Sequence, residues 1–318
     1  MPSLLVDIAE LTRSQRDRIA AAAGARGWEA NFASGEASRF LAVNAEVIFC
    51  QNPALLKAAE HLKWLNVPSA GAEQYLDAAL YASPGAVLTN SAGAYGVTIA
   101  EHVLMVLLEI LRRQPEYSAH IARREWVRRL PVRAIYGSRV TLLGTGDIGR
   151  ETLKRLRGFA PERIVGVNRG GRNPDGLFDR VVSSAQLDDV LPETDILIIS
   201  LPGTPETLHM IAERQLELLP DEAVLINVGR GAVVDQAALE AELRGGRLYA
   251  GLDVFETEPI PPESTLWSAP RLIITPHVAG DTTLPHTLER IFELFLEDLE
   301  NYCAGRPLIR LVDRNVGY

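Results

Sequence analysis

Short aliphatic runs alternate along the chain with segments whose apolar residues recur every three to four positions. Residues 4–8, 47–50, 62–67 and 86–89 read as buried strands. A helix is expected over 12–23, with Thr12 as its N-cap and Gly24 as its stop, and shorter helical patches over 53–60 and 74–81. Together these form a βαβ-type unit with a parallel sheet. From Val97 to about Ala122 the periodicity predicts one long helix, apolar through 103–108 and then polar and basic. The basic stretch 123–133, with Trp126 inside it, reads as a connection and a solvated or subunit-facing surface.

A second series of strands follows at 139–143, 163–168, 195–200, 223–227, 248–252 and 272–274. Each is short, aliphatic and bounded by Gly, Pro or Asp, the pattern of a parallel sheet covered on both faces. A strongly amphipathic helix over 284–302 closes the series, with Gly305 as its stop and a tail beyond. The fold class is therefore α/β, with two parallel-sheet units.

Composition narrows this picture. A chain of 318 residues suggests two domains of ordinary size, and 47% hydrophobic residues give each a sizeable core. The net charge of −9 repels phosphate backbones and argues against nucleic acid as a partner. Two cysteines, Cys50 and Cys303, make neither a disulfide framework nor a metal site. The apolar runs are too short to span a bilayer, and the first ten residues lack the basic flank and apolar core of a signal peptide. A cytoplasmic enzyme without a membrane contact is expected.

Three groups of residues carry candidate chemistry. Gly144-Thr145-Gly146-Asp147-Ile148-Gly149 follows a strand and opens a helix, which is the context a dinucleotide turn requires. The first glycine permits the turn, the second lets the backbone approach a pyrophosphate, and the third lets helix and sheet pack closely. The following strand ends in Asn168-Arg169-Gly170-Gly171-Arg172, where NAD-selective sites carry an acid for the ribose hydroxyls. Arg169 or Arg172 can pair with a 2′-phosphate, so NADP(H) is expected in preference to NAD(H). An exposed loop tolerating both cofactors is the alternative. The third group lies in loops after later strands: Arg230, Asp253, Glu258 and His277. At the carboxyl ends of parallel strands they can meet in one crevice. A guanidinium for a carboxylate, an imidazole for a proton and a carboxylate for the imidazole suit chemistry on a keto acid.

Several motifs in order resemble the D-isomer-specific 2-hydroxyacid dehydrogenase family, in particular its glyoxylate/hydroxypyruvate reductase branch. They are Asn90 with Ala100-Glu101-His102, the glycine turn, Asn227-Val228-Gly229-Arg230-Gly231, Gly251-Leu252-Asp253-Val254-Phe255 with Glu258-Pro259, Leu266-Trp267, and Thr275-Pro276-His277. The resemblance implies a Rossmann cofactor domain over 97–284, inserted in a flavodoxin-like substrate domain of 1–96 and 285–318. It implies a homodimer, and hydride transfer between NAD(P)H and a small 2-oxo or 2-hydroxy acid. His277 resembles the general acid/base, Glu258 its carboxylate partner and Arg230 the carboxylate-binding group. Asp253 resembles a nicotinamide carboxamide ligand, and Leu201, Pro202, Val228 and Gly229 resemble further cofactor contacts. Ala70, Gly71 and Ala72 resemble a loop whose N–H groups hold the substrate carboxylate, although Gly71-Ala72-Glu73 stands where the family has Gly-Val-Asp. His102 is expected to serve packing or a domain contact. Two other readings follow from the same fold: a cofactor-sensing binding protein of the corepressor kind, and a dehydrogenase for another small acid or oxyanion such as formate or phosphite.

Overall fold

The structure, a computed structural model, describes residues 1–317. In chain order the elements begin with β1 (Ser3–Asp7), α1 (Arg13–Gly24), β2 (Glu29–Phe32), α2 (Glu36–Ala42), β3 (Val47–Cys50), β4 (Trp64–Asn66) and β5 (Val87–Thr89). They continue with α3 (Gly96–Leu111), α4 (Gln114–Ala122), β6 (Arg139–Leu143), α5 (Asp147–Arg157), β7 (Arg163–Asn168), β8 (Arg180–Ser183), α6 (Leu187–Val190) and β9 (Ile196–Ile199). The last are α7 (Glu213–Leu218), β10 (Val224–Asn227), α8 (Gln236–Arg244), β11 (Tyr249–Leu252), β12 (Leu272–Ile274) and α9 (Pro285–Cys303). The chain divides into two compact units, Met1–Tyr95 with the chain from Thr282 on, and Gly96–Asp281. These limits lie one and three residues from the domain edges expected at 96/97 and 284/285.

Unit 1 is a five-stranded parallel sheet in the order β2-β1-β3-β4-β5. That is the flavodoxin-like order. Its entry helix is fixed by a capping box: Thr12 Oγ1 accepts from Gln15 N at 3.3 Å, and Gln15 Oε1 accepts from Thr12 N at 2.9 Å. The amphipathic face of α9 returns to this sheet, where Phe295 stacks on Phe49 with ring centroids 4.2 Å apart. Trp64, Phe292 and Phe295 are fully buried there. The tail beyond α9 lies along β5, with an antiparallel bridge from Thr89 to Leu311 and a bond from Val312 N to Leu88 O.

Unit 2 is a seven-stranded parallel sheet in the order β12-β11-β10-β9-β6-β7-β8. The order reverses between β6 and β9, so the switch point lies there, where such sheets bind dinucleotides. All four residues of β9, β10 and β11 are buried, as strands covered on both faces must be. Helix α3 lies against β11 at Gly251, where a Cβ would overlap Val106.

The continuous helix expected to Ala122 is in fact two. Pro115 has no N–H for the bond back to Leu111, and Arg113 turns left-handed at φ 57°. The patches over 53–60 and 74–81 form only 3-10 turns, at Pro53–Lys57, Glu73–Tyr75 and Ala78–Leu80. The basic stretch after α4 has no regular structure and leaves Trp126 91% exposed. It is fastened to unit 2 at Arg133, whose N–H donates to Leu111 O and whose guanidinium covers the Tyr249 ring.

Candidate active site

The glycine turn sits at the switch point of unit 2. Gly144 has φ 114°, a conformation closed to side chains, and a Cβ there would stand 2.7 Å from Ser200 Oγ. A Cβ at Gly149 would overlap Gly144 O, so the helix and turn meet backbone to backbone. A Cβ at Gly146 would stand in open space. Gly146 caps α5 with no side chain, and the N–H groups of Thr145, Gly146 and Ile148 donate no described hydrogen bond. An uncapped helix start aimed into open space is the cradle that a pyrophosphate fills. The Asp147 carboxylate does not crowd it, because Oδ2 accepts from Gly96 N at 2.8 Å and thereby caps α3. The residues present therefore fit a dinucleotide.

Asn168 does more than vacate the place of an acid. Its Nδ2 donates to Thr145 Oγ1 and to Arg172 O, both at 2.9 Å, and its Oδ1 accepts from Arg172 N at 3.3 Å. The amide thus ties the glycine turn to the loop that carries Arg169 and Arg172, both exposed. Leu201 and Pro202 leave β9 beside Gly229, where a Cβ would meet Leu201 O at 2.5 Å. Val228 N is already used, donating to Ile199 O at 3.1 Å.

The strand ends of β10, β11 and β12 are aligned, with Asn227 opposite Leu252 and Leu252 opposite Ile274. Arg230, Asp253, Glu258 and His277 all leave this one edge within six residues of those strand ends. Strand spacing of about 4.8 Å then brings the loops side by side. Asn227 shapes the first loop: its Oδ1 accepts from Gly229 N and its Nδ2 donates to Arg230 O, each at 3.0 Å. The Arg230 stem lies against Gly203, and its Nη1 donates to Gly229 O at 2.8 Å.

His277 Nδ1 and Glu258 Oε2 are 2.7 Å apart. The other Glu258 oxygen accepts from Phe255 N at 2.8 Å, which fixes the carboxylate. An ionised carboxylate only accepts, so the proton of this bond is on Nδ1 and the exchangeable one belongs to Nε2. The imidazole side chain is 52% exposed. His277 is held at φ 54°, a left-handed backbone that costs a non-glycine residue about 1–2 kcal/mol. A strained residue in a candidate site points to function.

Asp253 supplies the restraint. Its backbone oxygen accepts from His277 N at 2.9 Å. Its buried carboxylate accepts from Thr275 Oγ1 at 2.7 Å, Val278 N at 2.9 Å and Ala279 N at 3.0 Å. Sequence reasoning gave Asp253 to the cofactor and missed this loop-holding role. His102, expected to serve packing or a domain contact, has its Nε2 3.0 Å from Thr275 Oγ1, across 173 positions of sequence. No local pattern signals a pair so far apart.

In unit 1, the loop after β4 has an unequal set of bonds. The carbonyls of Pro68, Ser69, Ala70 and Gly71 accept from Tyr95 Oη, Ser91 N, Asn90 Nδ2 and Ser69 Oγ respectively. The N–H groups of Ala70, Gly71 and Ala72 donate no described hydrogen bond. Bound carbonyls and open N–H groups are what an anion-binding loop requires.

A doubly wound sheet with an open dinucleotide cradle and an imidazole–carboxylate pair on neighbouring strands defines a nucleotide-dependent oxidoreductase. Residues 104–279, over half the chain, match the model of the D-isomer specific 2-hydroxyacid dehydrogenase NAD binding domain. The chain belongs to this family and is an oxidoreductase. It is 33% identical over 238 residues to a glyoxylate reductase of Korarchaeum cryptofilum, covering 73% of this chain and 70% of that one. Its structure superposes over 100% of both chains on the NADPH-dependent glyoxylate/hydroxypyruvate reductase of Sinorhizobium meliloti in complex with NADP and sulfate, with a TM-score of 0.82 and 27% identity. A probable 2-hydroxyacid dehydrogenase of Rhizobium etli, in complex with NADP, HEPES and L(+)-tartaric acid, has a TM-score of 0.78 and 27% identity, covering 100% of this chain and 99% of that one.

Proposed function

We propose that this oxidoreductase reduces glyoxylate, hydroxypyruvate or a closely similar small 2-oxo acid to the 2-hydroxy acid, of D configuration where that carbon becomes a stereocentre, with NADPH preferred and NADH possible. The observation that carries the reading is the His277–Glu258 pair, 2.7 Å apart, on the strand edge that also presents Arg230. Relatives that act on glyoxylate and structural neighbours that hold NADP support the substrate and cofactor assignments.

In this reading the α5 start and the turn from Gly144 to Gly149 receive the pyrophosphate. Asn168 orients the loop from which Arg169 or Arg172 pairs with a 2′-phosphate. Leu201, Pro202, Val228 and Gly229 line the remaining cofactor contacts. Asp253 Oδ2 accepts one described bond and has a second lone pair for a carboxamide N–H. The reduced nicotinamide, when bound, supplies a hydride to the carbonyl carbon. His277 gives its Nε2 proton to the carbonyl oxygen, so C=O becomes CH–OH, and Glu258 stabilises the imidazolium before transfer. Arg230 pairs with the substrate carboxylate and draws electron density from the carbonyl. The open N–H groups of Ala70, Gly71 and Ala72 in unit 1 suit a carboxylate.

Unit 2 then carries the cofactor contacts and the reacting groups, and unit 1 supplies N–H groups for an anion. The reading includes a homodimer in the cytoplasm, which light scattering and cell fractionation check. The main test is loss of nicotinamide absorbance with glyoxylate, hydroxypyruvate, pyruvate and phenylpyruvate, each with NADPH and NADH. The highest kcat/KM is expected for one of the first two with NADPH. A clear preference for NADH would overturn the cofactor assignment, and no turnover with any of the four acids would overturn the substrate class.

A further inference from the structure

We propose that His102 is a positioning residue for His277, acting through Thr275 and Asp253. The inference rests on the reading of His277 as the proton donor. It begins with a packing fact. Gly251 leaves no side chain between β11 and α3, so Val106 can enter that space. His102, four residues earlier, shares the Val106 face of α3 and is carried toward the same end of the sheet as the site loops. There its side chain is 12% exposed, and its Nε2 stands 3.0 Å from Thr275 Oγ1.

The protons along this chain are fixed by elimination. Thr275 has one hydroxyl proton, and Asp253 Oδ1, 2.7 Å away, can only accept it. Both Asp253 oxygens also receive backbone N–H groups, from Val278 and Ala279, so the carboxyl group is the acceptor for three donors. Thr275 Oγ1 must therefore accept from His102, and His102 carries its proton on Nε2. The chain runs from His102 Nε2–H to the Thr275 hydroxyl and on to the Asp253 carboxylate. Donors and acceptors match at every link.

The carboxylate is the clamp on residues 278 and 279, while the Asp253 carbonyl holds His277 N. These bonds oppose the strain of the left-handed His277 backbone. Orienting Asp253 thus sets where the imidazole stands. His102 touches neither His277 nor the glycine turn in any described bond, so its effect on turnover passes through the clamp. A small displacement of a proton donor lowers the rate far more than it lowers binding.

His102→Leu and Thr275→Val each remove one link at near-constant volume. Each is expected to lower kcat by about 10- to 100-fold. The NADPH Kd, read by fluorescence titration, should change little. Amide exchange at Val278 and Ala279 is expected to accelerate by about tenfold or more as their acceptor loosens. His102→Gln keeps a neutral donor near the Nε2 position, and Thr275→Ser keeps the hydroxyl. Both should recover most of the lost kcat and of the lost protection. Unchanged exchange at both amides in Thr275→Val would overturn the proposal. So would a loss of NADPH affinity that matches the loss of kcat, since that assigns the chain to cofactor binding. Faster exchange with unchanged kcat would also overturn the proposal, because the loosened clamp would not be positioning His277, whereas unchanged turnover in His277→Ala would overturn the reading of His277 as the proton donor.

Discussion

The two units obey one architectural rule and treat charge in opposite ways. Each is a parallel sheet with loops at its carboxyl edge. In unit 2 those loops present paired ionic side chains and a strained histidine. In unit 1 the loop after β4 presents backbone N–H groups and small side chains, held from behind by neutral hydrogen bonds from Asn90, Ser91 and Tyr95. Backbone donors can receive a carboxylate without themselves titrating, whereas an imidazole backed by a carboxylate can pass a proton. The contrast separates holding from reacting, and it predicts different kinetic signatures for damage to each side.

The largest effect is expected at His277. In the proposed reading His277→Ala removes the proton donor and should lower kcat by about 10²- to 10⁴-fold, the range for general acid catalysis. The NADPH Kd should stay near its original value, because the glycine turn is untouched. A variant with unchanged turnover would remove the division of labour between the two units.

A smaller effect of another kind is expected at Asn90 in unit 1. Asn90→Ala leaves the Ala70 carbonyl without its donor, at a cost of about 1–3 kcal/mol in stability. The loop loosens, and the KM for the 2-oxo acid should rise by roughly tenfold while kcat falls less. Steady-state kinetics on both variants tests the contrast directly. If Asn90→Ala lowered kcat alone, the loop would belong to the reacting side.

How much of this arrangement was visible in the residues follows from range. The strands of unit 2 are near-continuous aliphatic runs, and the glycine turn is local, so both can be read directly. His277, Glu258 and Arg230 follow strand ends and are legible once the sheet is parallel. Strand β2, Glu-Ala-Asn-Phe, carries no aliphatic run because it lies at the sheet edge, and it is recognisable only from its pairing with β1. The break before α4 is signalled by Pro115, a local cue outweighed by the long apolar period. The bonds of Asn168 to Thr145 and of His102 to Thr275 span 23 and 173 positions, and only the packed sheet brings those partners together.

The contrast between the units extends to their pH limits. In unit 2 the hydrogen-bonded Arg139 guanidinium holds Asp195 below its ordinary 3.8, and Lys154 leads the same effect on Glu151. Depressed carboxylates stabilise the fold above their unfolded values, and that contribution is lost as pH falls through and below about 4. In unit 1 burial raises the Cys50 thiol from 9.0 to about 12 and the Tyr75 and Tyr95 phenols from 10.0 to about 12. Such groups keep their protons when folded and lose them when unfolded, so stability is full below pH 9 and falls between 9 and 12. Hydrogen exchange followed by mass spectrometry should show β3 to β5 opening first on the alkaline side, and β6 to β10 losing protection on the acid side. Simultaneous opening of both units at both extremes would erase the difference.

The smallest effect concerns the two thiols, which both lie in unit 1. Cys50 is fully buried at the end of β3, and burial is the largest cause of its raised thiol pKa. Cys303 ends α9 and is only partly buried, although burial raises its pKa too. Thiolate is the reactive form, so both should react slowly with a disulfide reagent at neutral pH, and Cys303 first. Cys50 should react only when unit 1 opens. Its labelling rate is then a measure of that unit alone, since unit 2 contains no cysteine. Cofactor bound to unit 2 should leave that rate unchanged if the two units open independently. A rate that falls as NADPH is added would show that they open together, and the pH limits assigned to each would then describe the whole chain.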